Sequence, residues 1–127
     1  MNHRIALAWA GILGATGVVL GALGAHTLKA ALAARGSHDV WETAVIFQLV
    51  HAAALLGFAG WLRAAASPPR PCAAWAARLF VLGTVLFSGS LYALAFGGPL
   101  WLWPATPLGG LSLISAWVLA ACAALAA

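Results

Sequence analysis

No charged side chain follows Arg78 in this 127-residue chain, and the stretch from Ile5 to Ala25 is equally free of charge. About 20 apolar residues, rising ~1.5 Å each as a helix, cover the ~30 Å hydrocarbon layer of a bilayer. Backbone amides in lipid have no water to bond, so such a segment closes its own hydrogen bonds as a helix. Thr43 to Leu62 repeats the pattern, with only Gln48 and His51 strongly polar. The charge-free stretch after Arg78 is too long for one crossing. Gly97, Gly98, Pro99, Pro104 and Pro107 divide it, because proline lacks an amide donor and glycine weakens a helix. The sequence therefore predicts an all-α fold. One domain, residues 1–127, forms an integral membrane bundle of four transmembrane helices, with spans at about 5–26, 41–62, 75–97 and 107–126.

Composition supports this and closes off other classes. Charged residues make up 6% of the chain, against roughly 25% in a soluble domain. The net charge of +4 comes from basic residues scattered singly, without the basic run interleaved with aromatics that nucleic acid would need, so the expected partner is the lipid bilayer. The first apolar run follows Arg4 as in a signal peptide, but it has the length of a span and is read as one.

Orientation follows from Lys and Arg in the connections. Arg4, Arg63, Arg70 and Arg78 fall on one side, whereas Lys29 and Arg35 fall on the other beside Asp39 and Glu42. A multi-pass protein of the plasma (inner) membrane with both termini cytoplasmic is expected. Trp9, Trp61 and Trp75 mark the same inner interface, and Trp41, Trp101 and Trp103 the outer one, since indole rings prefer headgroup depth.

The outer connection predicts a short amphipathic helix, Thr27 to Arg35, stopped by Gly36. Asp39 then suits an N-cap and Glu42 its N3 partner, a reading preferred to acid/base catalysis by the same pair. Ala64 to Ala74, with its SPPRP run, is expected as a stiff linker.

Three polar or small patterns ask for an explanation. Gly14, Gly17, Gly21 and Gly24 form one stripe on the first span, which predicts a helix-packing face. Gln48 and His51 share a face of the second span with Trp41, Ala44 and Leu55. Thr84, Ser88 and Tyr92 make a second polar stripe, four residues apart, on the third. Counting inward from the outer boundary gathers Gln48, His51, Ser88 and Tyr92 at similar depth, with His26 near the outer mouth. Such a cluster either ties helices together or handles protons or a ligand through His51. Metal and haem are not expected, because His26 and His51 differ in depth by about half the hydrocarbon layer. Cys72 and Cys122 both map to the inner side, where thiols stay reduced.

GALGAHTL at Gly21 to Leu28, WETAVIFQLVHAAALL at Trp41 to Leu56, FSGSLYALA at Phe87 to Ala95 and TPLGG at Thr106 to Gly110 are specific in their order. Together they resemble the YgdD-like small inner-membrane proteins, domain-of-unknown-function family 423, over nearly the whole chain. The resemblance implies a four-helix inner-membrane protein with relatives in eukaryotes, and brings no activity, substrate or catalytic residue. Its motifs include His26, Gln48, His51, Ser88 and Tyr92; the SPPRP loop lies outside them.

The expected function is a non-enzymatic membrane protein without cofactor, an accessory or assembly subunit of a larger membrane complex or a homo-oligomer. A small transporter or proton-coupled carrier, acting as an oligomer around His51, is the alternative, weakened by the lack of intramembrane Asp or Glu. A membrane enzyme ranks third: His51 and Tyr92 are acid/base types, but no nucleophile or metal set accompanies them.

Overall fold

The structure is a computed structural model, which describes residues 1–64 and 71–125. The apolar runs become helices where a start signal precedes them. α1 (His3–Ala25) begins at Asn2, whose side-chain oxygen accepts the Ile5 amide at 3.0 Å. A short α2 (Lys29–Ala34) leads to α3 (His38–Ala64). α4 (Pro71–Ala95) starts on its proline, a position where the missing amide has no intrahelical acceptor to lose. A single 3-10 turn, Leu100–Leu102, precedes α5 (Ala105–Leu125), which accommodates Pro107 in its first turn for the same reason.

α1, α3, α4 and the segment Leu100–Leu125 are long and apolar enough to cross a membrane. α3 and α4 start earlier than the sequence reading allowed. Pro71 to Ala74 are helical rather than linker, while the rest of the SPPRP run lies outside the described residues.

Asp39 is not the N-cap. The Trp41 amide donates to the Ser37 carbonyl at 3.1 Å, so the helix starts two residues earlier and Asp39 stands in its first turn. There its carboxylate still complements the positive end of the helix dipole.

Two helix ends interlock at the α2 end of the bundle. Ser37 N–H donates to Leu32 O and Gly36 N–H to Ala33 O, with Gly36 at φ 63°; Gly98 N–H likewise donates to Ala93 O and Gly97 N–H to Leu94 O, with Gly97 at φ 76°. Both are Schellman motifs, which need a left-handed residue that glycine adopts without Cβ strain. The Ser37 hydroxyl donates to Ala95 O at 2.7 Å and Arg35 Nη1 to Phe96 O at 3.2 Å, so the turn after α2 caps α4.

α1 packs on α3, α3 on α4 and α4 on α5, whereas α1 and α4 scarcely meet. The shared core is mainly alanine, with Ala6, Ala10, Ala52, Ala59, Ala77 and Ala116 around the large side chains of Leu55, Phe80 and Leu113. Small residues suit a bilayer, where helices gain from close packing and not from leaving water. α4 and α5 come closest: a Cβ on Gly109 would strike the Phe87 backbone, and one on Gly83 would stand 2.8 Å from Leu113. Ile5, Ile12, Val18, Val50, Leu82 and Ile114 point outward, as lipid-facing residues do. Trp41, expected in the outer belt, is buried instead beside Tyr92 and Phe96, with ring centroids 4.6 Å and 5.7 Å away.

Candidate functional site

A primary amide inside a hydrocarbon layer must find partners for two N–H groups and an oxygen. Gln48, 5% exposed on α3, finds them on two neighbouring helices. Its Nε2 donates to Leu13 O at 2.9 Å and to Thr16 Oγ1 at 2.8 Å on α1, and its Oε1 accepts the Tyr92 hydroxyl of α4 at 2.9 Å. Thr16 passes its own hydrogen to Ile12 O at 2.7 Å. The amide thus ties three helices together with every donor engaged.

His51 is buried in the bundle but faces a different interface. Its Nδ1 lies 2.7 Å from Phe47 O, and a carbonyl only accepts, so Nδ1 carries the hydrogen. Nε2 then accepts the indole N–H of Trp117 on α5 at 3.3 Å. The ring stacks on Phe47 and stands near Phe80, with centroids 5.7 Å and 6.3 Å away. Both nitrogens of the neutral ring are therefore partnered, and the tautomer is set by its neighbours.

The five gathered positions separate accordingly. Gln48 and Tyr92 are bonded to each other, His51 lies with Trp117, and His26 is an exposed C-cap at the end of α1, outside both groups. Ser88 is buried on α4 with no hydrogen-bond partner for Oγ among the described residues. The division has a simple cause. Three residues advance a helix by ~300°, so Gln48 and His51 point ~60° apart, enough to look into separate interfaces of a helix packed on two sides. The glycine stripe divides as well. Cβ atoms on Gly17 and Gly21 would stand 2.8 Å from Leu49 and 3.2 Å from Val45, and one on Gly24 would run into Trp41. A Cβ on Gly14 would meet nothing within 4 Å, so a side chain there would not press on α3.

Two partners escaped the sequence reading, and depth would have found both. Thr16 lies nine residues from the last residue of α1, and Gln48 ten from the first of α3. Trp117 lies twelve residues into α5, and His51 thirteen into α3. A lone threonine or an indole N–H at mid-span asks for an acceptor at its own level.

Among the described residues, His38, Asp39 and Glu42 bring one potential ligand atom each within 4.8 Å of the others. The group lies at the start of α3, with both acids exposed. Cys72 and Cys122 are free thiols.

A family profile described as a protein of unknown function, DUF423, matches residues 20–110. The chain is similar to the UPF0382 inner membrane protein YgdD of Escherichia coli (strain K12), at 39% identity over 94% of this chain and 88% of that one. A UPF0382 membrane protein of Staphylococcus haemolyticus is 39% identical over 78% of this chain and 77% of its own length. A relative from Staphylococcus saprophyticus is 36% identical over 85% and 89%. No solved structure matches.

Proposed function

The chain belongs to the DUF423 family of membrane proteins, and we propose that it serves as a non-enzymatic subunit that acts by association, with itself or within a larger membrane complex. The observation that carries this reading is the inward closure of the intramembrane polar groups, the Ser88 hydroxyl excepted. Gln48, Tyr92, Thr16, His51 and Trp117 all bond within the bundle. What the molecule offers its surroundings is then its lipid-facing helix surface. Gly11 and Gly14 on α1 lie open there, as do Gly57 and Gly60 on α3, since an added Cβ would meet nothing within 4 Å. Open small residues let a second helix backbone approach closely. The carrier alternative draws less support, because both nitrogens of His51 are engaged. In this reading Arg4, Arg63 and Arg78 hold their end of the bundle, with both termini, on the cytoplasmic side.

Purification in mild detergent and in nanodiscs, followed by native mass spectrometry, tests the proposal. We expect an oligomer or a stoichiometric partner that the Gly11→Leu/Gly14→Leu variant loses while its thermal stability holds. A lone monomer in both environments would overturn it.

A further inference from the structure

Where α1 and α4 draw apart, a cleft of about 210 Å³ opens, with Gln48 of α3 behind it. Its open surface is almost wholly apolar, from residues such as Leu13, Leu20 and Val85; of the polar residues around it, Gln48, Thr84 and Ser88 are buried and only Thr16 and Tyr92 are more open. The hydrogen-bonding capacity of this lining is lopsided. Both amide hydrogens of Gln48 are engaged on α1, the Tyr92 hydrogen is on Gln48, the Thr16 hydrogen is on Ile12 O, and the Thr84 hydrogen is on Phe80 O at 2.7 Å. Among the described residues one donor of this lining is left over: the Ser88 hydroxyl, 2% exposed and without a partner there. Acceptor capacity, by contrast, is plentiful, since the oxygens of Tyr92, Gln48 and Ser88 keep unused lone pairs.

We infer that this cleft binds the hydroxyl group of a lipophilic alcohol, with Ser88 donating to it and the alcohol donating in turn to an oxygen of the Tyr92–Gln48 pair. The complementarity is what selects the ligand class. A carbonyl or ether accepts from Ser88 but then sets its oxygen against oxygens. An ammonium cannot accept from Ser88, and a carboxylate brings a charge into hydrocarbon. A hydroxyl both accepts and donates. The apolar walls, and the gap between α1 and α4 that leads outward, suit an alkyl chain attached to that hydroxyl. Ser88 Oγ is covered in its present rotamer, so engagement takes a turn about χ1 to another staggered well. Water is the other source of a hydroxyl, and the test separates the two.

The probe is a diazirine-bearing dodecanol added to the intact protein in nanodiscs, with photolabelled residues read by mass spectrometry. Labelling is expected to saturate, to map to α1 and α4 around Ser88, and to be competed by dodecanol but not by dodecyl methyl ether, which accepts without donating. Ser88→Ala should weaken it roughly three- to tenfold, the worth of one hydrogen bond in lipid. Gly89→Leu, which fills the cleft mouth without touching the polar network, should abolish it. Equal competition by the ether, unchanged labelling in Ser88→Ala, or labelling that never saturates would overturn the proposal and leave water as the only hydroxyl there. The alcohol-against-ether comparison needs only the unmodified chain, so it decides even if a variant fails to fold.

Discussion

Trp117 donates its indole N–H to Nε2 of His51 across 3.3 Å, joining α5 to α3 at mid-span, although the two helices make few backbone contacts. Removing Trp117 leaves His51 Nε2 unpaired in hydrocarbon, and removing His51 leaves the Trp117 indole N–H without its acceptor. Trp117→Phe and His51→Ala should each lower thermal stability in detergent, and the double variant should show a coupling of about 0.6 to 1.7 kcal/mol, the range of interhelical hydrogen bonds in lipid. Additive effects would mean that the pair is only a contact.

Gln48 is bonded to both α1 and α4, so its loss should exceed that of either neighbour. Tyr92→Phe and Thr16→Val each delete one tie, about 0.6 to 2 kcal/mol. Gln48→Leu deletes all three and strands the Tyr92 hydroxyl. Unfolding in mixed micelles should rank Gln48→Leu as the most damaging. Equal losses for all three variants would contradict the network.

Two glycines on α1, three residues apart, should respond in opposite ways to the same substitution. Gly17→Leu must displace Leu49 and Gln48 and should cost about 1 to 3 kcal/mol through overpacking. Gly14→Leu projects into open space and should leave the monomer's stability within ~0.5 kcal/mol. Thermal melts of the two variants make the comparison, and equal loss would place α1 differently against α3.

The turn after α2 caps α4 through Ser37, whose hydroxyl donates to Ala95 O at 2.7 Å. Ser37→Ala should therefore cost about 1 kcal/mol, and Gly97→Ala about 1 to 2 kcal/mol, because its φ of 76° is left-handed. Hydrogen exchange at the end of α4 reads the effect locally. Protection unchanged in both variants would show that the cap does not hold that end.

Topology is open to direct assay. A reporter after Ala127 should be active only in the cytoplasm, and one inserted beside Gly36 only outside. The reverse pattern would invert the charge argument.

The sequence by itself determined the class of fold. Charge-free stretches of bilayer length, broken at Gly97, Gly98 and Pro99, leave a chain in lipid few choices besides helices, and this needs no knowledge of how the helices meet. The α2 turn was legible too, because Gly36 signals a left-handed stop through its own backbone freedom. Helix starts were less so. Asp39 looked like a cap, but Ser37 accepts the first amide while its hydroxyl holds α4, a partner 58 residues away that no local pattern reveals. Which polar residues meet was decided only in three dimensions. Spacing placed Gln48 and His51 on one face, yet ~60° of helix rotation separates a ring held by Trp117 from an amide held by Thr16 and Tyr92. Periodicity measures direction around a single helix axis. The crossing of α1, α3, α4 and α5 sets what each direction looks into, and that crossing depends on where the glycines allow close approach: Gly17, Gly21 and Gly24 on one side, Gly83 and Gly109 on the other.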